Sequence, residues 1–168
     1  MHRDLIRVLL STVAFFTLAS AACAQSQGRG SNTLVYATPN TVFSIAKEAN
    51  RSAKLDSDGD GDPMITSQAE GIEYVVFFYD CTDGKDCKSL AFSASLDDTQ
   101  GATLERLNTY NAEERYGKAF IDRDGKLTLD MDVEIEYGMS RRNLKEAFVD
   151  WEAAVRAFKK EVLASGQE

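Results

Sequence analysis

The chain has 168 residues, enough for one ordinary domain with a real core, and carries 27 acidic against 19 basic side chains, a net charge of −8. That acidity repels phosphate backbones and anionic lipid heads, which argues against nucleic acid as a partner. The one histidine, His2, lies in the N-terminal segment. The rest of the chain therefore has no imidazole for a Ser-His or Cys-His nucleophile or a metal ligand, and the commonest hydrolase and zinc-enzyme designs fall away.

Residues 1–24 read as a signal peptide. Arg3 and Arg7 make a charged start, Val8–Ala19 is an apolar run too short to span a bilayer comfortably, and Ala22-Cys23-Ala24 is a small-x-small cleavage site. An uncleaved anchor and a lipoprotein acylated at Cys23 are the alternatives. Ser20-Ala21-Ala22, however, lacks the large aliphatic residue such lipoprotein sites carry three positions before the cysteine. Cleavage after Ala24 predicts a periplasmic or secreted protein with no stable membrane insertion. It leaves 17 basic against 26 acidic residues, a net charge of −9.

Residues 25–33 form a polar, glycine-containing leader expected to be flexible, residues 34–164 a single domain, and residues 165–168 a tail. Thr38-Pro39 announces a first helix, with Thr as N-cap and Pro at the first helical position. Val42, Phe43, Ala46 and Ala49 line one side of it, and Asn50 suits a left-handed C-terminal position. Ser44 and Lys47 form S-x-x-K, but the companion motifs of penicillin-binding domains are missing. Arg51–Leu55 and Met64–Thr66 are expected as a strand pair around Asp56–Pro63. Within that turn Asp56, Asp58, Asp60 and Gly61 occupy calcium-loop positions, and Asp62 adds a fourth carboxylate. Position twelve is Ser67 where a bidentate Glu belongs, and Asp and Gly are also what a solvated hairpin turn requires. Both readings stay open on these residues.

Gly71–Asp80 is apolar on both faces, Ile72, Tyr74, Val76 and Phe78 against Glu73, Val75, Phe77 and Tyr79, and so predicts a central strand. Cys81 and Cys87 follow. They are spaced too widely for a C-x-x-C redox pair, with Asp83-Gly84 as a turn between them. In an oxidising compartment the even count reads as a disulfide contributing roughly 2 kcal/mol. Ser89–Leu96 returns antiparallel, its small-residue face beside Val75, Phe77 and Tyr79.

A second helix is expected over Thr103–Glu113, with Leu104, Leu107 and Tyr110 as its apolar contributions. After it come a strand at Tyr116–Ile121 and a strictly alternating strand at Lys126–Glu136. Leu127, Leu129, Met131, Val133 and Ile135 fall on one face of that strand, Thr128, Asp130, Asp132, Glu134 and Glu136 on the other. A three-residue loop with Gly125 left-handed sets Lys118 opposite Asp130, a favourable cross-strand pair. Ser140 caps a last helix to about Ala164. Its stripe is Leu144, Phe148, Trp151, Val155, Phe158 and Val162, with Glu152 and Arg156 as an i, i+4 pair on the opposite side.

Several features in this order resemble the YbjN domain family of bacteria: D-G-D-P at Asp60–Pro63, F-F-Y-D-C with its second Cys87, and L-N-T-Y-N at Leu107–Asn111. R-Y-G-K-A-F at Arg115–Phe120, the D-R-D-G hairpin and the closing helix with Trp151 and Phe158 complete the set. The resemblance covers roughly residues 34–162. It implies a fold like the type III secretion chaperones: α+β, an antiparallel sheet of about five to six strands with three helices packed mainly on one face, ordered α-β-β-β-β-α-β-β-α. Family members are labelled sensory transduction regulators, and an exported form with a cysteine pair looks like a secreted branch.

Three functions follow as expectations. The first is a non-enzymatic, protein- or peptide-binding or regulatory module of the cell envelope, with Val75, Phe77 and Tyr79 as the candidate interaction face and homodimerisation as one outcome. Coverage by a helix or the leader, or simple cross-strand packing, is the alternative for those three residues. The second is a calcium-responsive module using Asp56, Asp58, Asp60 and Asp62. The third is an enzyme using Asp130, Asp132, Glu134 and Glu136, but solvated acids in a row have no cause for raised pKa values, so no catalytic residue or cofactor is assigned. Asn108, Asn111 and Arg115 read as backbone-binding residues or a small polar site.

Overall fold

Strict alternation makes strands, and this chain alternates in long runs. A computed structural model describes residues 33–163 apart from 98 and 100. The expected signal at 1–24, residues 25–32 of the leader and the tail at 165–168 lie outside those residues. Along the chain run β1 (Leu34–Val35), α1 (Pro39–Ala49), β2 (Lys54–Ser57), β3 (Pro63–Ala69), β4 (Ile72–Tyr79) and β5 (Ser89–Leu96). There follow α2 (Leu104–Glu113), β6 (Lys118–Ile121), β7 (Leu127–Glu134), β8 (Met139–Ser140) and α3 (Arg141–Phe158), which ends in a π-helical turn, Lys159–Leu163.

Six strands form one antiparallel sheet in the order β2-β3-β4-β5-β7-β6, and β1 pairs with β8 in a separate two-stranded ribbon. The α+β architecture expected from the family resemblance is therefore present, with β4 and β5 central. The ribbon was not anticipated, because two-residue strands carry no readable period. The first strand of the first hairpin begins later than expected, at Lys54, and its partner is longer than expected, Pro63–Ala69. Residues 51–53 leave the sheet for the end of α1.

Hairpin geometry fixes the register. Glu70 and Gly71 both have positive φ, 52° and 82°, as a two-residue turn between β3 and β4 demands. Between β6 and β7 the loop has three residues. The Asp122 N–H donates to the Lys126 carbonyl at 2.9 Å and Gly125 is left-handed. Lys118 does stand opposite Asp130, yet the two make no ion pair. Asp130 accepts from Ser93 Oγ at 2.6 Å, and the Lys118 ammonium lies 5.0 Å over the Phe120 ring. The register expected from charge is correct; turn geometry and packing maintain it.

The core lies between the sheet's inner face and the helices. Ile72, Tyr74, Val76 and Phe78 of β4, Leu90, Phe92 and Ala94 of β5, and Leu127 and Leu129 of β7 are buried there. Along α3 the whole expected stripe from Leu144 to Val162 is buried, because spacings of three and four keep it on one side. Trp151 is fully enclosed, its ring 5.6 Å from both Tyr74 and Phe92, and Phe148 meets Phe92 edge-on at 4.9 Å. Among the described residues Trp151 Nε1 has no hydrogen-bond partner, and burial pushes the Tyr74 phenol above its usual pKa while nearby Ser67 and Asn50 draw it down. Tyr110 donates to the Ala154 carbonyl at 3.1 Å and meets Phe158 edge-on, and burial raises its pKa as well.

Ser140 caps α3, accepting from the Asn143 N–H at 3.1 Å, and Thr103 caps α2, accepting from Arg106 N–H at 3.2 Å. Thr38 precedes Pro39 as expected, but its hydroxyl donates to Thr41 Oγ1 rather than capping α1. Ile45 joins Val42 and Ala46 as the buried side of α1, with Phe43 and Ala49 partly covered. Leu104 corrects an expectation. It is 75% exposed at the first position of α2, although its spacing places it on the same side as buried Leu107.

Cys81 and Cys87 are joined in a disulfide. Inside it Asp83 and Gly84 take φ of 51° and 66°, and Thr82 and Lys85 exchange backbone hydrogen bonds of 2.7 and 2.9 Å. The Cys87 N–H donates to Ala37, so the loop also holds the entry to α1.

Two outcomes follow. At Gly117, φ +78°, an added Cβ would sit 3.0 Å from Leu129 Cδ1, whereas Gly71, φ +82°, faces open space. Gly71→Ala is expected to cost about 1 kcal/mol of left-handed strain, and Gly117→Ala about 2–4 kcal/mol because buried Leu129 must also shift, as read by urea unfolding. Reduction of the disulfide should lower unfolding free energy by about 2 kcal/mol in the same assay.

Candidate interaction face

With the helices on one side, alternate strand residues face the other. On β4 these are Glu73, Val75, Phe77 and Tyr79, and the split expected for this strand holds. Glu73 is exposed, Val75 and Phe77 are half-buried, and Tyr79 is 51% exposed. Phe77 and Tyr79, one pleat apart, have ring centroids 6.4 Å apart. Among the described residues no helix covers this strip.

The register builds three consecutive rungs across β4, β5 and β7: Val75–Ser93–Asp130, Phe77–Ala91–Asp132 and Tyr79–Ser89–Glu134. Each rung is apolar, then small, then acidic. The expected placement of the small-residue side of β5 beside Val75, Phe77 and Tyr79 is met. At the Tyr79 end a concavity lies between the aspartate turn and the disulfide loop, lined by Phe77, Tyr79, Asp58, Asp62 and Asp80.

The polar face of β7 departs from expectation at its first residue. Thr128 is only 5% exposed, under Ser95 and Asp122, whose side chains it meets at 3.1 and 3.4 Å. Asp132 and Glu134 are exposed as expected. Met131 and Val133, opposite them, are only partly covered, and Ile135 is buried just beyond the end of the strand.

In the aspartate turn, Asp58 Oδ1 accepts from the N–H groups of Asp60 and Asp62, both at 2.9 Å, and the Asp58 N–H donates to the Asp62 carbonyl. Of the eight carboxylate oxygens on the four aspartates, Asp58 Oδ1 is thus committed to holding the turn, and Asp56 Oδ1 accepts from the Ser57 N–H at 2.8 Å. Among the described residues no three His, Cys, Asp or Glu side chains are grouped to hold a metal. Asn111 is a backbone binder: its amide donates to the Ala119 carbonyl at 2.9 Å and accepts from the Ala119 N–H at 2.8 Å. Arg115 stacks on Tyr116, its guanidinium 5.6 Å from the ring centre, and Asn108 is exposed, so the three do not converge.

Asn50 is the residue that sequence reasoning misplaced. It is extended, φ −140°, not left-handed. Its amide nitrogen donates to the Gln68 carbonyl and to Glu152 Oε1, both at 2.8 Å, and its oxygen accepts from Ser52 N–H and Oγ. Glu152 therefore serves Asn50. Its expected partner Arg156 instead pairs with Glu70 at 2.9 Å. Asparagine at a helix end carries a strong local signal, and the distant groups that outcompete it cannot be read from one segment.

A family model, YbjN, "Putative bacterial sensory transduction regulator", matches residues 38–164. No curated protein matches the sequence significantly. Among solved structures, one titled "Crystal structure of YbjN, a putative transcription regulator from E. coli" matches with a TM-score of 0.50 at 15% identity, covering 76% of this chain and 97% of that one. At that identity the likeness speaks for the fold. The family model spans most of the sequence, and the domain it matches carries the same sheet and helices: the chain belongs to the YbjN family, one described by regulation and not by catalysis.

Proposed function

We propose that this protein is an exported, non-enzymatic module of the cell envelope that binds a protein or peptide on the open face of its sheet. The observation that carries the reading is the strip Val75, Phe77 and Tyr79, partly exposed at the first two residues and 51% exposed at Tyr79, on a face no described helix shields. Apolar surface left in water at the centre of a sheet is what an interface covers. Its concave end beside the disulfide loop adds a place for an anchoring side chain.

The export half of the proposal is supported by the charged start, the apolar run and Ala22-Cys23-Ala24. Bonding of Cys81 to Cys87 is compatible with an oxidising compartment. Among the described residues no helix is long and apolar enough to cross a membrane.

Phe77→Asp and Tyr79→Asp should each reduce partner capture or self-association about tenfold or more, read by in-cell cross-linking and sedimentation, with the circular dichroism unchanged. Tyr79 is the safer site because it is the more exposed. Unchanged cross-links and unchanged mass in both variants would remove the face from consideration. N-terminal sequencing of protein from the periplasmic fraction should begin at Gln25; a product starting at Met1 in the cytosol would refute export.

A further inference from the structure

We infer that the occupant of this face is a basic amphipathic helix from another protein, laid along β5 with its apolar stripe on β4 and its Lys or Arg side chains on β7. The inference rests on the reading of the open face as an interface and adds the partner's chemistry.

Three features converge on it. The first is charge. Strand positions on the open face carry Asp56, Glu73, Asp130, Asp132 and Glu134 against Lys54 and Lys118. Among the described residues neither Asp132 nor Glu134 has an ion-pair partner; the pairs that form involve other carboxylates. A cationic partner neutralises this row, whereas an acidic one is repelled by it.

The second feature is width. β5 presents Ser89, Ala91 and Ser93 between the aromatic strip and the acids, so the floor is low where the flanks are tall. Strands lie about 4.8 Å apart, which puts β4 and β7 about 10 Å apart across β5, and a helix is about 10 Å wide. The third is period. Alternate residues on a strand repeat every 6.6 Å or so, and every fourth residue of a helix repeats at about 6 Å. Basic residues at i, i+4 and i+8 therefore meet Asp130, Asp132 and Glu134 in turn. Apolar residues at the same spacing on the neighbouring flank meet Val75, Phe77 and Tyr79. This is recognition of a helix by a groove, with one wall supplying charge.

The test uses the purified chain and a labelled 16-residue Leu/Ala/Lys peptide with lysines at i, i+4 and i+8 beside a leucine stripe. Two further peptides, one with Glu for Lys and one of scrambled order, serve as comparisons, all read by fluorescence anisotropy. The patterned basic peptide should bind at least about tenfold tighter than either and weaken as salt is raised. Asp132→Asn with Glu134→Gln should weaken it about tenfold, Tyr79→Asp at least as much, and Glu146→Gln on α3 not at all. Equal binding of the scrambled peptide, or indifference to Asp132 and Glu134, overturns the inference.

Failure here is separable from failure of the interface reading. If the acidic peptide binds as well and is lost with Tyr79→Asp, the face binds but not through charge. If no peptide binds, the basic-helix inference falls, and cross-linking from position 79 in cells judges the face by itself. Cross-links from that position to a second copy, or to the chain's own residues 25–32, would also overturn it by naming a different occupant.

Discussion

The contact between α3 and the inner face of the sheet is the constraint on which the remainder depends. Trp151 sits at its centre, touching Tyr74 on β4 and Phe92 on β5 at the same distance. A large ring enclosed on all sides aligns the helix along both central strands at once. Its unpaired N–H works against burial, by about 1–3 kcal/mol, so ring packing must outweigh it. Because the helices gather on this side, most alternate strand residues on the other side, Thr128 excepted, are left to water or to a partner.

Much of this was legible from residues alone wherever a period was long enough to be unambiguous. The alternation of β7 and the stripe of α3 each repeat over many residues; burial follows the α3 stripe throughout and blurs along β7 only from Thr128 to Met131. The Lys118–Asp130 register was legible for a partly mistaken reason. The charges are opposite, but Ser93 and Phe120 engage them separately, and Gly125 with Asp122 holds the turn. Local pairing rules failed where tertiary partners competed. Arg156 reaches Glu70 and Glu152 reaches Asn50, since a solvated i, i+4 pair is weak and easily displaced.

The candidate face was legible to the extent that it follows from strand alternation. Val75, Phe77 and Tyr79 fall on the open side because Ile72, Tyr74, Val76 and Phe78 must fall on the other. The aligned rungs across β4, β5 and β7 were not fully legible, because sequence pairs β5 with β4 through a short loop but gives no cue that β7 inserts between β5 and β6. The aspartate turn illustrates the opposite limit. Its composition suits either an ion or a tight turn, and only backbone geometry reveals that Asp58 already binds its own loop.

Asn50 has a consequence for how the sheet could grow. Beyond Lys54 the outer margin of β3 has no neighbouring strand among the described residues, which would leave Ser67–Ala69 as a template for a foreign chain. The Asn50 amide occupies the Gln68 carbonyl, and Ser52 Oγ meets both Ser67 Oγ and the Gln68 N–H there. These two side chains act as a stopper against runaway strand addition. With both flanking strands only four residues long, the molecule offers little purchase for domain swapping or fibril formation.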